Sequence, residues 1–347
     1  MALESLHLND FGVFEDVTFE FCPGLNVIIG ENATGKSHAM KAAYAMLRAL
    51  QSDRSESRAT MAASLAFRLQ AVFRPKDGDI GRLMRSNAGD RKAGIEIFVG
   101  DMHMDSYWDR ESDFPMVVMQ GPTPSSSAVY VPSREVLAMY EGFVAAYDAR
   151  ELSFDETYYD LCKLLSATPL RGERAERAKE LLEPLREALG GEVRSADGRF
   201  YVEQGSVELE AHLVAEGLRK IASIYHLINT GGLTQDGILF WDEPEASLNP
   251  RLTERVAKFL VALVGSGVQV VIASHDYLLT HRLSLLAEYG KLPEGATMRF
   301  FSLSRPQPGA PVEVEAGDTL VDLEHNSILD EFARFYDDEQ ALALADD

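Results

Sequence analysis

Cysteines and long hydrophobic runs are scarce in this sequence. Cys22 and Cys162 are its two cysteines, which is too few for a disulfide framework or a cysteine-based metal site. No uninterrupted apolar stretch approaches the roughly 18–20 residues that a membrane-spanning helix needs. Residues 1–5 lack the basic segment followed by an apolar segment that marks a secretion signal. These absences predict a cytoplasmic protein without membrane contact.

Basic residues are also few relative to acidic residues. The 33 lysines and arginines are outnumbered by 55 aspartates and glutamates, which gives a formal net charge of −22. This balance argues against a broad basic surface for nucleic acid, although a local basic patch on a dimer stays open. The acidic surface either keeps the protein soluble or meets a basic protein partner. The 347 residues suffice for one large α/β domain or two lobes.

One eight-residue run carries most of the functional information. Residues 30–37 read GENATGKS and match the phosphate-binding pattern G-x-x-x-x-G-K-[ST] at every fixed position. The mostly apolar residues 25–29 before it predict a buried strand, and residues 38–50 after it have helical spacing. In this context the loop N–H groups and the helix N-terminus attract phosphate, Lys36 reaches the β- and γ-phosphates, and Ser37 holds Mg²⁺. We predict that ATP is bound by Gly30, Asn32, Ala33, Thr34, Gly35, Lys36, Ser37 and His38.

Two further apolar runs end in polar side chains. Residues 237–241 predict a buried strand that ends at Asp242 and Glu243, and ligands bind at this end of parallel strands. We expect Asp242 to orient the Mg²⁺ shell and Glu243 to position or deprotonate the attacking water. Residues 269–274 predict another such strand, which ends at His275. This histidine either senses the γ-phosphate or is a satisfied histidine at a strand end.

Three segments resemble the ABC-type ATPase heads of the SMC/RecF/OLD group. Residues 242–250, DEPEASLNP, are similar to its Walker B motif and D-loop, often written DEPE-x-x-LHP, with Asn249 where His is frequent. Residues 8–14, LNDFGVF, resemble its opening strand, and residues 274–276, SHD, its switch histidine. The resemblance implies that two ATP molecules are sandwiched between two heads of a homodimer, with Lys36, Glu243 and His275 as the catalytic residues.

In such a sandwich, a signature segment of the partner head completes each site. The resemblance places this segment at residues 214–220, VAEGLRK, just before the Walker B strand. Ala215 replaces the serine whose hydroxyl would contact the γ-phosphate, and Gly217 keeps the helix start open for close approach. For the loop that usually carries a glutamine, residues 132–135 and Gln120 are alternatives. The predicted contacts to the partner's nucleotide are Glu216, Gly217 and either Arg219 or Lys220.

The predicted fold class is α/β, a P-loop NTPase with an ABC-ATPase-like head. We expect an antiparallel β lobe, a mixed or parallel core sheet flanked by helices, and a helical insert. Strands are predicted over 3–8, 17–21, 25–29, 94–108 and 115–120, with 25–29 in the antiparallel lobe. Helices are predicted throughout 136–190, with a break near Pro169 and an end at Gly190 and Gly191, and over 213–227 and 327–336. A hairpin is predicted over 193–204. The predicted domains are residues 1–135 (N-terminal lobe with the phosphate loop), 136–192 (helical insert), 193–305 (C-terminal lobe with signature, Walker B and switch histidine) and 306–347 (C-terminal tail).

The resemblance also implies ATP hydrolysis. We expect ATP and Mg²⁺ to close the homodimer and hydrolysis at Glu243 to reopen it. Because no nuclease-like carboxylate cluster follows the histidine strand, we expect a protein effector in trans, as in bacterial anti-phage modules. The insert and the C-terminal helix are the candidate partner surfaces. The alternatives are a RecF-like or SMC-like ATPase that binds duplex DNA and a nucleotide sensor with little turnover.

Overall fold

The computed structural model describes residues 2–52, 58–124, 126–307 and 309–345. The strands are β1 (Leu3–Phe11), β2 (Phe14–Glu20), β3 (Leu25–Gly30), β4 (Ala93–Val99), β5 (Met102–Trp108), β6 (Met116–Gln120), β7 (Ala128–Val131), β8 (Glu192–Ala196), β9 (Arg199–Gln204), β10 (Val207–Glu210), β11 (Ile238–Asp242), β12 (Gln269–Ala273), β13 (Met298–Ser304) and β14 (Glu313–Gly317). The helices are α1 (Lys36–Ser52), α2 (Arg58–Phe73), α3 (Phe143–Asp148), α4 (Glu156–Leu165), α5 (Glu173–Leu189), α6 (Glu216–Thr230), α7 (Pro250–Gly265), α8 (Tyr277–Glu288) and α9 (Ser327–Ala345).

The antiparallel lobe is a five-stranded sheet in the order β2-β1-β4-β5-β6. Buried and less buried residues alternate along β4 and β5, as expected for strands with one face on a core and one toward solvent. The buried face belongs to a cluster that also contains the apolar residues of α1 and α2. The predicted strands at 3–8, 17–21, 94–108 and 115–120 are thereby confirmed.

The core sheet has six strands in the order β14-β13-β3-β12-β11-β7, and the five from β13 to β7 run parallel. Along β11, Ile238 and Phe240 join the apolar cluster on one face, while Leu239 and Trp241 join the cluster on the other. Both faces are therefore covered, as parallel sheets require. The ends of β3, β11 and β12 meet at one edge of this sheet, which brings the phosphate loop, Asp242 and His275 together.

The assignment of residues 25–29 to the antiparallel lobe is wrong. Strand β3 lies in the core sheet between β13 and β12 and pairs in parallel with both. All six of its residues are buried. A strand that is covered on both faces carries a nearly continuous apolar run instead of alternation. Strand β3 has such a run, interrupted by the buried Asn26, and this run distinguishes it from β1 and β2.

The insert is less helical than predicted. Helices α3, α4 and α5 are separated by non-helical residues 149–155 and 166–172, and residues 136–142 are also non-helical. The predicted break near Pro169 is confirmed, and the prediction of helix over 136–142 and 149–155 is wrong. Arg150 has a left-handed φ of 61°, which a continuing helix does not allow. Asp155 caps the next helix because its side chain accepts a hydrogen bond from the Thr157 backbone N–H at 2.9 Å.

Helix α4 of the insert is fixed to the helix that follows the phosphate loop. Lys41 Nζ lies 2.7 Å from Asp155 Oδ2, and Arg48 Nε lies 3.2 Å from Asp160 Oδ2. The Tyr44 hydroxyl also donates to Asp160 Oδ2 at 2.7 Å. These largely buried, charge-assisted contacts make α1 and α4 one unit.

The predicted hairpin over 193–204 is confirmed as β8 and β9, and β10 extends it to a three-stranded sheet. Its turn residues Asp197 and Gly198 have φ values of 53° and 76°, the left-handed pair that a two-residue hairpin loop favours. Helix α6 begins at Glu216, three residues later than predicted, and ends at Thr230.

The C-terminal helix is longer than predicted. Helix α9 continues through the acidic residues after position 336 and reaches Ala345; residues 346–347 of the predicted tail lie outside the described residues. Among the residues that the structure describes, no helix has both the length and the apolar character needed to cross a membrane. The division into four domains stays a prediction.

Candidate nucleotide-binding site

The phosphate loop joins the end of β3 to the start of α1. Gly30 and Gly35 have φ values of 145° and 96°, which only glycine adopts at little cost. A Cβ atom at Gly30 would lie 2.4 Å from the Leu303 carbonyl oxygen. Ala33 also has a left-handed φ, of 64°, and the Thr34 hydroxyl donates to the Glu31 carbonyl at 2.8 Å. The loop therefore has the tight turn that turns backbone N–H groups toward an anion.

Lys36 lies against the loop that it follows. Its Nζ donates to the carbonyl oxygens of Gly30 at 2.7 Å and Glu31 at 2.8 Å. Burial lowers the pKa of Lys36, and the negative charges of Asp242 and Glu243 oppose this shift. Two of the three ammonium hydrogens thus brace the loop, and the third is available for a phosphate oxygen.

Ser37 and Asp242 form an oxygen pair that fits Mg²⁺. The Ser37 hydroxyl is hydrogen-bonded to the Asp242 carboxylate, and the Tyr130 hydroxyl donates to Asp242 Oδ2 at 3.3 Å. Burial raises the pKa of Asp242, and the hydrogen bond with Ser37 opposes the rise. Mg²⁺ prefers such hard oxygen ligands and usually takes the remainder of its shell from substrate phosphates and water.

Glu243 and His275 face each other across the ends of β11 and β12. Glu243 Oε1 lies 3.5 Å from His275 Nδ1. The Glu243 backbone has a left-handed φ of 48°, and its N–H donates to the Ala273 carbonyl at 2.9 Å. The His275 side chain is 51% exposed, so it is not a buried histidine satisfied within the strand end. Both side chains are free to meet a ligand at this edge.

The match to a family covers most of the chain. The AAA-domain family described as a putative AbiEii toxin of type IV toxin–antitoxin systems matches residues 25–280. The chain belongs to this family. The matched range contains the phosphate loop, the Walker B strand and His275, so the family assignment and the site geometry concern the same residues.

Individual relatives match in sequence over a short segment or in fold over most of the chain. The DNA replication and repair protein RecF of Limosilactobacillus reuteri is 46% identical over 46 residues, which are 13% of this chain and 12% of that protein. An SMC head crystallised with the C-winged helix domain of ScpA superposes with a TM-score of 0.57 at 13% identity, covering 92% of this chain and 98% of that one. An SMC head derived from Pyrococcus furiosus has a TM-score of 0.50 at 12% identity, covering 97% and 99%. The chain spans only a small part of its curated relative's length, and its fold is that of an SMC/RecF-like ABC-type ATPase.

The two basic residues of the predicted signature segment are engaged within their own chain. The Lys220 side chain is 1% exposed, and its Nζ donates to the backbone carbonyl of Glu243 at 3.2 Å. Arg219 Nε lies 2.8 Å from Glu135 Oε1, and its Nη1 donates to the Val214 carbonyl at 2.6 Å. Lys220 is therefore too buried to contact a partner's nucleotide, and the structure directs Arg219 to the segment after β7.

Gly217 is needed by the D-loop of its own chain. A Cβ atom there would lie 2.5 Å from both the Ser247 carbonyl oxygen and Leu248 Cδ2. The close approach inferred for this glycine is thus between α6 and the turn after Walker B. Glu216, the first residue of α6, is exposed beside it. The roles of Glu216, Gly217 and Arg219 toward a partner's nucleotide stay predictions.

We expect Gly217→Ala to destabilise the fold and to lower ATPase activity. The added methyl group must displace backbone at Ser247, and overpacking of this kind costs about 1–3 kcal/mol. The measurement is urea unfolding with ATPase assays on the same samples. Gly94→Ala is the control, because its Cβ would meet no atom closer than the Ser106 carbonyl oxygen at 3.4 Å. Equal stability of Gly217→Ala and wild type would show that α6 and the D-loop separate readily.

Asn32 and His38, which were predicted, and Glu245, which was not, lie around the phosphate loop and the Walker B turn. Asn32 is exposed at the tip of the loop, and the His38 ring lies 5.7 Å from the Phe73 ring. Glu245 was not predicted: its buried Oε1 accepts hydrogen bonds from the Ser274 hydroxyl at 2.8 Å and the His275 N–H at 3.3 Å. It ties the Walker B turn to the histidine strand, and its place in the DEPE sequence is the signal that could have indicated it.

The two alternatives for the glutamine-bearing loop occupy different sheets. Residues 132–135 follow β7, which pairs with the Walker B strand, and Glu135 contacts the signature helix through Arg219. Gln120 ends the edge strand β6 of the antiparallel sheet. The choice between them stays a prediction, with residues 132–135 adjacent to the Walker B strand in the core sheet.

Proposed function

We propose that this protein binds ATP with Mg²⁺, hydrolyses it, and uses the ATP-bound homodimer to switch a protein effector. The observation that carries the proposal is the convergence of Lys36, Ser37, Asp242, Glu243 and His275 from three strand ends. Each has the chemistry that phosphoryl transfer to water requires, and no further reactive group is needed.

The roles follow from the contacts. Lys36 would offer its remaining N–H to the terminal phosphates, and Ser37 and Asp242 would hold Mg²⁺, which neutralises phosphate charge when bound. Glu243 would orient the attacking water and accept its proton. His275 would place an imidazole nitrogen against the terminal phosphate, beside the carboxylate of Glu243.

We infer slow turnover, which suits a switch. Ala215 has no hydroxyl to offer a partner's γ-phosphate. Lys220 is buried and Arg219 is paired with Glu135, so neither compensates without a rearrangement. Each missing contact to the transition state lowers the rate, while ground-state binding through the phosphate loop is unaffected.

The effector proposal draws support from the comparisons and from charge. The family description names toxin–antitoxin systems, and one SMC head neighbour was crystallised with a domain of another protein, ScpA. A surface with a net charge of −22 favours a basic protein over a polyanion. A role in anti-phage defence fits these features.

Binding of duplex DNA is the second candidate, because the match to RecF includes 46% identity over 46 residues. The net charge opposes it, since non-specific DNA affinity depends on lysine and arginine contacts to phosphates. Strong stimulation of ATPase activity by duplex DNA, lost steeply with added salt, would favour this candidate over the effector switch.

The experiment that tests the proposal is purification of the Glu243→Gln variant from its own cells with ATP and Mg²⁺ present. We expect a specific protein to co-purify with this variant and not with Lys36→Ala, which serves as the control that lacks nucleotide. If only nuclease-sensitive nucleic acid co-purifies with the variant, the result would favour a function in DNA maintenance over the effector switch. Equal recovery with both variants would contradict ATP-dependent switching.

A further inference from the structure

Helix α9 presents an apolar face that the described part of the chain leaves largely uncovered. Phe335 and Tyr336 are 71% and 59% exposed, and Phe332 and Leu342 are also exposed. At 3.6 residues per turn, these side chains and Leu329 lie within an arc of about 140° on the helix. Contiguous exposed apolar surface of this kind marks an interaction site.

The N-terminal part of α9 lies beside the candidate nucleotide-binding site. The Phe332 ring is 4.3 Å from the ring of Tyr277, which is the first residue of α8 and follows His275 by two positions. The Asn326 side chain accepts hydrogen bonds from the N–H groups of Ile328 and Leu329, both at 3.2 Å, and so caps the helix. The exposed face therefore starts from an anchored first turn.

A groove of about 480 Å³ lies between Tyr277 and α9. Leu329, Phe332, Phe335 and Tyr336 form its apolar wall. A helix seated on α9 would enter this groove and contact the first turn of α8. Such an occupant would touch the element whose N-terminal side carries His275.

Charge decides which occupant fits. Helix α9 carries five carboxylates and one guanidinium, and that guanidinium, on Arg334, is already paired with Glu331. Asp337 and Asp338 flank the apolar arc on its two sides. A second copy of α9 would bring two acidic helices together within an assembly of acidic chains, which costs electrostatic energy. A basic helix with an apolar stripe would cover the apolar arc of α9 and would also pair its positive charges with the carboxylates beside that arc.

We propose that α9 and the Tyr277 groove dock a basic amphipathic helix of a partner protein. This proposal rests on the proposed function, because it supplies the contact through which an effector would respond to nucleotide at His275. Recognition uses an apolar stripe for affinity and the flanking carboxylates for selection of the partner.

The test uses two synthetic helical peptides that share one leucine stripe and differ in their flanking residues, lysine in one and glutamate in the other. Binding to the full chain is followed by fluorescence anisotropy. We expect the lysine peptide to bind at least about tenfold more tightly than the glutamate peptide, and the preference to weaken with salt. Equal affinities, or no binding of the lysine peptide, would overturn the proposal.

Variants distinguish binding at this surface from non-specific hydrophobic binding elsewhere on the protein. The double variant Phe335→Ser/Tyr336→Ser should lose at least about tenfold in affinity for the lysine peptide. Phe67→Ser, at an exposed aromatic residue of α2, is the matched control and should bind as wild type does. Asp337→Lys/Asp338→Lys should shift the preference toward the glutamate peptide. Wild-type binding by the Phe335→Ser/Tyr336→Ser variant would place the site elsewhere and overturn the proposal.

Two further readouts keep the outcomes distinct. Self-association that Phe335→Ser/Tyr336→Ser abolishes, measured by analytical ultracentrifugation without peptide, would identify a second copy as the occupant and overturn the proposal. ATP affinity is measured on the same samples. Peptide binding without ATP binding would refute the proposed function and leave the docking surface intact. ATP binding without peptide binding would refute the docking surface and leave the proposed function intact.

Discussion

Glu243→Gln should accumulate as an ATP-bound dimer whose hydrolysis rate falls at least about 100-fold. The amide keeps the size of the carboxylate but cannot accept the proton of the attacking water, and a lost general base typically costs 10²–10⁴-fold. The backbone at this position is held on both sides, because the Glu243 N–H donates to the Ala273 carbonyl and the Glu243 carbonyl accepts from Lys220 Nζ. The substitution therefore removes a proton acceptor and leaves the Walker B turn in place.

Light scattering after size-exclusion chromatography measures the expected mass, with ATP and Mg²⁺ or with ATP and a chelator. Wild type should dimerise transiently, and the variant should stay dimeric only when Mg²⁺ is present. Glu294→Gln, at an exposed glutamate, is the control and should match wild type in rate and mass. If Glu243→Gln stays monomeric in ATP and Mg²⁺, the sandwich arrangement is wrong for this protein.

The sequence was sufficient to predict local structure wherever a short segment determines its own geometry. The glycines of the phosphate loop, the carboxylates that end β11, and the Asp197–Gly198 turn each carry a backbone or chemical requirement that is visible in a few consecutive residues. The structure accordingly has the strand, loop and helix predicted over residues 25–50 and the hairpin predicted over 193–204.

Pairing between distant segments was harder to predict. Strand β3 follows β2 closely in sequence, yet it pairs with β12 and β13, which lie more than 200 residues later. Adjacency in the chain favoured the antiparallel lobe, while the mostly apolar run of β3 carried the correct signal. The insert shows a different limit, because the cap at Asp155 and the turn at Arg150 are local features that interrupt an otherwise helical composition.

The direction of long side chains was the least predictable feature of the site. Arg219 and Lys220 are adjacent on α6, so their side chains leave the helix about 100° apart. One reaches Glu135 and the other reaches the Glu243 carbonyl. A sequence pattern indicates that positive charge is present near the signature segment. Only the folded structure shows that both side chains contact groups of their own chain.

Lys36→Ala should abolish detectable ATP binding. The substitution removes the ammonium that would pair with the terminal phosphates and also the two hydrogen bonds to the carbonyls of Gly30 and Glu31. We expect affinity to fall at least about 100-fold, or about 2.7 kcal/mol. The measurement is the ATP-dependent rise in melting temperature together with equilibrium dialysis, because a ligand stabilises the folded state that binds it.

Lys36→Met separates the two effects of that substitution, since it keeps the aliphatic stem and lacks the charge. Lys291→Ala, at an exposed lysine, controls for the loss of one positive charge and should bind ATP as wild type does. If both Lys36 variants fail to bind ATP but unfold at the wild-type temperature without nucleotide, the ammonium acts on phosphate rather than on the loop. If Lys36→Ala binds ATP with wild-type affinity, residues 30–37 are not the phosphate site, and the roles assigned to Ser37, Asp242 and Glu243 fail with it.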